Sequence, residues 1–331
     1  MPIYAWIRFS GGPQQRGHVR EKEISGTGFV ARRLGTLFLI LATLGFFSAA
    51  SADDKSPAKT TPQETKPAGD ESGWQKVFRE MAEDYDIAAE GDTHRKFALR
   101  SAPVLRWSQP VRGGDDGAVY VWLDEGRPAV IGSIFAWPLP DGVRVVTHEM
   151  HALTTAPMRA VYQGKEVWTL EKPALDFKRL PGAPAPAPIA TQRLAQMRTL
   201  GREFTARSID RKESEWELRL LGQPLCRYEI KDRPESRGEV GSPQGVELLD
   251  GAILSFVQGT DPEILLVFEA RRDGTKMYWE YALARFSDLQ LIVKHKEAEV
   301  WRVGNSQLQD NKAPYFVRNV EQREAPANAD E

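Results

Sequence analysis

The densest cluster of metal-ligand residue types in this chain is His148-Glu149-Met150-His151. A zinc-hydrolase helix places two histidines four apart on one face, with the glutamate between them as general base. Here the histidines are three apart, in a segment that alternates like a strand, where positions i and i+3 point to opposite faces. A shared ion is therefore not expected, and no metal or cofactor is called for. Glu149 and Glu280 are more suggestive, because each is a carboxylate within an apolar run. Arg106 and Arg227 are similarly set beside Trp107 and Tyr228. A charge taken out of water is costly unless it is paired, so the expected pairs are Arg106 with Glu149 and Arg227 with Glu280. Each would serve either as a structural ion pair or as a pair presented to a polar ligand.

Other chemistries find little support. Gly113-Gly114-Asp115-Asp116-Gly117 lacks the spaced acidic ligands and closing glutamate of a calcium loop and reads as a turn entering a strand. No Gly-x-Ser-x-Gly elbow and no Walker loop occurs. Cys226, the single cysteine, follows Pro224-Leu225 and reads as a small buried hydrophobe, with no disulfide available to it.

The residues that position these groups come twice. Asp116-Gly117-Ala118-Val119 recurs as Asp250-Gly251-Ala252-Ile253, and Pro128 and Pro262 each follow eleven residues after their glycine. Further matches are Phe135 with Phe268, Asp141-Gly142 with Asp273-Gly274, and Glu166-Val167-Trp168 with Glu299-Val300-Trp301. Glu149 with Ala152-Leu153 answers Glu280 with Ala282-Leu283, which sets Trp279 in the place of His148. Ordered matches at a near-constant offset predict a duplicated unit.

Each unit opens on a helical pattern: Trp74, Val77, Phe78, Met81 and Tyr85 in one, Leu194, Met197, Leu200 and Phe204 in the other. The period then changes to two, over Val119–Leu123, Val130–Trp137, Val143–Met150 and Arg159–Leu170. Asp-Gly pairs at 141 and 273 suit hairpin turns, and connections this short require antiparallel neighbours. Adjacent apolar residues such as Val121-Trp122 and Val267-Phe268 mean that both faces of each sheet are covered. The expected fold class is α+β: two tandem copies of an N-terminal helix followed by an antiparallel meander of five or six strands.

Around these units the expected organisation is an N-terminal extension and signal peptide (1–52), a disordered tether (53–72), a first unit (73–179), a Pro-rich linker (180–187), a second unit (188–305) and a polar tail (306–331). Arg32-Arg33, the apolar run Leu34–Phe47 and Ala50-Ser51-Ala52 supply the charged region, apolar region and cleavage site of an export signal, with cleavage after Ala52. The run is too short for a stable membrane span. Residues 1–29 are unusual ahead of a leader, which suggests that translation starts at Val30. Residues 1–52 hold six Lys/Arg against two Glu, so their removal takes the net charge from −2 to −6. That balance disfavours nucleic acid as a partner. The expected location is periplasmic or secreted.

The Asp-Gly-Ala-Val segment with Trp122 and Pro128, the run Phe256–Pro262 and Ala282-Leu283-Ala284-Arg285 resemble uncharacterised exported bacterial proteins of the planctomycete type, across residues 73–305. The resemblance implies secretion and assigns no activity. The leading functional expectation is a non-catalytic binding or interaction protein, taking a small molecule or an envelope protein on a surface lined by Tyr120, Trp122, Trp137, Tyr278 or Trp279. The alternatives are a hydrolase using Glu149 or Glu280 as general acid or base, and a structural component of the cell envelope.

Overall fold

The computed structural model describes residues 73–92, 94–109, 114–229, 246–306 and 310–326. The expected leader, the tether and the end of the tail lie outside the described residues. Helix α1 (Gly73–Glu83) is followed by β1 (Tyr85–Ala89), β2 (Ala98–Leu99), β3 (Leu105–Gln109), β4 (Asp115–Asp124), β5 (Arg127–Pro138), β6 (Arg144–Ala152), β7 (Met158–Tyr162), β8 (Lys165–Leu170) and β9 (Lys178–Arg179). Helix α2 (Ala190–Gly201) then leads into β10 (Phe204–Ile209), β11 (Glu215–Leu220), β12 (Cys226–Tyr228), β13 (Val246–Gln258), β14 (Asp261–Asp273), β15 (Lys276–Arg285), β16 (Gln290–His295), β17 (Ala298–Val303) and β18 (Tyr315–Arg323).

The chain is mostly strand with few helices, and its sheets are antiparallel. One sheet has the order β1-β7-β8. A second runs β18-β6-β5-β4, with β2 and β3 both against β4. The largest runs β17-β16-β10-β11-β13-β14-β15-β9, with β12 also against β13. No helix among the described residues is long and apolar enough to cross a membrane.

Strands apolar on both faces demand two covers, and the core has three layers accordingly. On one face of β4–β6, Tyr120, Trp122, Ile134 and Met150 pack against Trp74, Phe78 and Met81 of α1. On the far side, Leu254, Phe256, Leu266 and Phe268 of β13 and β14 pack against Met197 and Leu200 of α2. Between the sheets, Val119, Val121, Ile131 and Phe135 meet Ile253, Leu265, Val267 and Ala284 in a middle layer. Burial in that layer joins the two sheets at about 25 cal/mol per Å² of apolar surface.

Several expectations are corrected here. Residues 306–331 are not merely a polar tail, because β18 pairs with β6 over Tyr315–Arg323 and buries Tyr315, Phe316 and Val317. The Pro-rich segment 180–187, expected as a linker, is tied to the fold at both ends. Leu180 is buried and donates its N–H to Trp279 O, and Ala187 N–H donates to Gln196 Oε1 of α2. Nor do the unit boundaries hold, since β9 lies in the sheet of residues 204–303 and β18 in that of residues 98–152. Strands outnumber the five or six expected per unit, because β2, β3 and β12 are only two to five residues long and the helical spacing runs on into Tyr85 and Phe204, which open β1 and β10. Finally, Phe135 and Phe268 are not counterparts: Phe135 lies opposite Gly117 in the middle layer, and Phe268 lies opposite Ala252 against α2.

Candidate functional site

The recurring glycine has a steric cause. Tyr228 on β12 is opposite Gly251 on β13, and its ring lies across the glycine so closely that a Cβ there would sit 2.3 Å from the ring's Cζ. The tyrosine thereby reaches the next strand, where its hydroxyl donates to Glu269 Oε1 at 2.8 Å. In the other sheet Trp107 crosses Gly117, whose added Cβ would be 2.6 Å from the indole, and its Nε1–H donates to Ser133 Oγ at 3.0 Å. Only a residue with no side chain admits this crossing.

Glu269 is the centre of a buried charge cluster. Its side chain is fully enclosed, and Arg127 of β5 donates to Oε1 from Nη2 at 2.7 Å and from Nε at 3.1 Å. Arg271 pairs with Oε2 and reaches Glu280 Oε2 at 3.5 Å. Phe177 lies 5.8 Å from the Arg127 guanidinium and 6.0 Å from that of Arg271, within cation–π range. Burial, with Glu269 alongside, pushes the Tyr228 phenol well above its ordinary range, so it acts as a fixed donor. Two arginines and a hydroxyl saturate the carboxylate, the condition under which a buried charge is tolerated.

Asp250, the residue before Gly251, is also fully buried. Arg227 grips it with Nε on Oδ1 at 3.0 Å and Nη2 on Oδ2 at 2.7 Å, while Arg193 of α2 donates from Nε at 2.9 Å. Arg193 continues to Pro188 O at 2.8 Å, and Arg227 to Ala190 O at 2.9 Å. Asp250 thus anchors the start of α2. Arg227 makes a further ion pair with Glu229 at 2.7 Å.

A third polar group joins β6, β15 and β18. Tyr315 donates its hydroxyl to Glu149, and the Arg285 guanidinium lies 5.1 Å from the Tyr315 ring. His151, on the same face, makes a 2.6 Å hydrogen bond between Nδ1 and Ala152 O; burial, aided by Arg285, holds its pKa down to about 4. His148 points the other way, into a cage of Tyr85, Tyr162 and Met81. The Tyr85 hydroxyl lies 2.8 Å from Nδ1, and burial brings the imidazole pKa down to about 3. The two histidines therefore lie on opposite faces. No group of three or more His, Cys, Asp or Glu among the described residues could hold a metal ion.

The expected Arg–Glu pairs do not form. Arg106 is in the row Arg106-Ala118-Ile134-His148 and Glu149 in the row Leu105-Val119-Ser133-Glu149, so they face opposite ways. They are also three strands apart, about 14 Å at ~4.8 Å per strand. Arg227 meets Asp250 and Glu229, and Glu280 meets Arg271. Nor are the two glutamates counterparts. Glu280 shares a row with Glu269 and Gly251, whereas the row of Gly117 and Phe135 has Thr147 at that place. Counting from the same glycines sets Tyr281, not Trp279, in the place of His148.

The expected aromatic surface is dispersed through the layers. Tyr120 and Trp122 are buried against α1, and Trp279 is buried against α2. Trp137 is half-buried in the middle layer with its Nε1–H on Thr147 Oγ1, and Tyr278 lies under the Arg179 guanidinium at 3.7 Å. Cys226 is buried, and burial raises its thiol pKa. Sequence reasoning missed Arg127, Asp250, Glu269 and Arg271. A signal existed for two of them: Asp250 belongs to the recurring motif, and Glu269 interrupts the apolar run Ile264–Ala270.

Chemically, these clusters neutralise charge and fix strand positions. Glu269, Glu280, Asp250 and Glu149 each hold a guanidinium or hydroxyl partner, which suits register and anchoring better than proton exchange with a substrate. Comparison of the chain with protein-family models, with curated proteins and with solved structures finds no match.

Proposed function

We propose that this chain is an exported, non-catalytic interaction protein built from two copies of one helix-backed sheet. The duplication is supported by pairing details that recur at fixed offsets. Val104 N–H donates to Val119 O as Leu225 N–H does to Ile253 O, and Arg100 to Val121 O as Leu221 to Ser255 O. The β4–β5 ladder slips after Trp122 and the β13–β14 ladder after Phe256, each five residues past the motif glycine. The β7–β8 and β16–β17 ladders both slip beside a tryptophan, Trp168 or Trp301. Bulges are placed individually, so two shared ones are strong support for common descent of the halves.

The observation that carries the functional reading is that Glu269, Asp250 and Glu149 are each engaged by guanidinium or hydroxyl partners, above all Glu269 held by Arg127, Arg271 and Tyr228. A general acid or base needs a group free to exchange its proton with substrate. Export is supported by the leader pattern of residues 32–52. The test is turnover of chromogenic ester, glycoside and phosphate substrates by the wild type beside a Glu149→Gln/Glu280→Gln variant. The two should be indistinguishable at background. Turnover by the wild type that the double variant loses would reject this reading in favour of a hydrolase.

A further inference from the structure

The two halves differ in one place that bears on binding. In the N-terminal half the outer edge of β6 is filled by β18, paired from Arg144 to His151 with one register shift between Asn319 and Glu321. Phe316 sits opposite Met150 and stacks on Trp168 at 5.5 Å and 12°, while the Trp168 Nε1–H donates to Ala313 O. Trp168 is completely buried as a result. In the C-terminal half the counterparts of Met150 and Trp168 are Leu283 and Trp301, and both are only partly buried. Beyond Glu280 and Tyr281, which pair with β9, no strand among the described residues pairs with the outer edge of β15. The bond from Leu180 N–H to Trp279 O shows that odd-numbered residues of β15 direct their backbone groups to this edge. Leu283 and Arg285 follow the same alternation.

We infer that the edge of β15 from Ala282 to Arg285, with Trp301 beside it, is an acceptor slot for an extended segment of a partner polypeptide carrying an aromatic side chain flanked by aliphatic ones. This rests on the duplication proposed above, since the occupant's chemistry is read from β18, the segment that fills the corresponding slot. The backbone groups at Leu283 and Arg285 supply main-chain hydrogen bonds, and Trp301 supplies the platform for the aromatic ring, which is how strand addition divides affinity from specificity. An edge left unpaired in this way is otherwise blunted by charge, a bulge or a cover. Here Arg285 bridges one end only, through its bonds to Leu289 O and Gly304 O.

The probe is a fluorescein-labelled peptide of the sequence Ala313–Arg323, titrated into the full chain and read by anisotropy, with amide exchange mapping the contact. Binding should saturate, weaken at least tenfold for a peptide carrying Phe316→Ala and for the protein variant Trp301→Ala, and slow exchange at Leu283 and Arg285. The peptide variant leaves the protein untouched, so poor folding of Trp301→Ala cannot decide the outcome. No binding, binding indifferent to both changes, or protection confined to 144–152 through exchange with β18 would overturn the slot. Sedimentation of the unliganded protein as a dimer with Leu283 already protected would assign the slot to a second copy and equally defeat the proposal. None of these results touches the turnover assay, so the slot and the non-catalytic reading fail separately.

Discussion

Replacing Gly251 by alanine tests the steric reason for the recurring Asp-Gly-Ala motif. In most strand interiors this change is neutral or favourable, because glycine there costs backbone entropy. Here the new Cβ would sit 2.3 Å from Tyr228 Cζ and 2.7 Å from its hydroxyl. The ring has to move by about 1 Å or more to restore ordinary van der Waals contact, which at carbon requires about 3.5 Å. Overpacking of this kind costs about 1–3 kcal/mol. The displaced hydroxyl also gives up its bond to Glu269, and a hydrogen bond to a charged group contributes about 1.5–3 kcal/mol. The sum is about 2.5–6 kcal/mol, measured as the loss of unfolding free energy in urea by circular dichroism. In a Tyr228→Ala background the three atoms nearest a Cβ at position 251 are gone, so Gly251→Ala should there cost about 0.5 kcal/mol or less, the range of changes that disturb no specific feature. Gly222, which meets nothing within 4 Å, is the control and should tolerate alanine. Equal costs for Gly251→Ala in the two backgrounds, within the ~0.5 kcal/mol expected of independent sites, would refute the reasoning.

Three further outcomes are expected. Arg127→Met should destabilise by about 3–5 kcal/mol, because it leaves the fully buried Glu269 short of one cation; replacing Glu269 by Met as well should recover much of this in urea melts. Because His148 and His151 titrate at about 3 and about 4 in the folded protein, against ~6.5 unfolded, stability should be full above pH 6.5. Below that the unfolded chain binds protons the folded one refuses, so stability should fall by about 1.4 kcal/mol per pH unit for each histidine down to about pH 4; His148→Phe should halve the slope between pH 6 and 4.5. Phe316→Ala should cost about 3–5 kcal/mol and uncover Trp168, seen as a red shift of tryptophan emission; an unchanged spectrum and midpoint would show that β18 contributes little.

The local elements were legible in the chain. Spacing of Trp74, Val77, Phe78 and Met81 announces α1, the period-two runs announce the long strands, and the Asp-Gly pairs at 141 and 273 mark the hairpins, because each depends on neighbours a few residues away. Two-sided apolar strands such as Val119–Trp122 also required a cover on each face. Which charge meets which was decided elsewhere. Arg127 and Glu269 are 142 residues apart and touch only because the two sheets pack face to face. Partner choice within a sheet depends on register, and a slip of one residue turns every side chain to the opposite face. Matching letters along the chain set Glu149 against Glu280, whereas the ladders set Thr147 there, because twelve residues separate the row partners Phe135 and Thr147 and eleven separate Glu269 and Glu280. β18 is the same lesson at its largest. Nothing near Tyr315 in the sequence indicates a strand partner, and only the closed sheet supplies β6, some 170 residues earlier, as the edge that needs it.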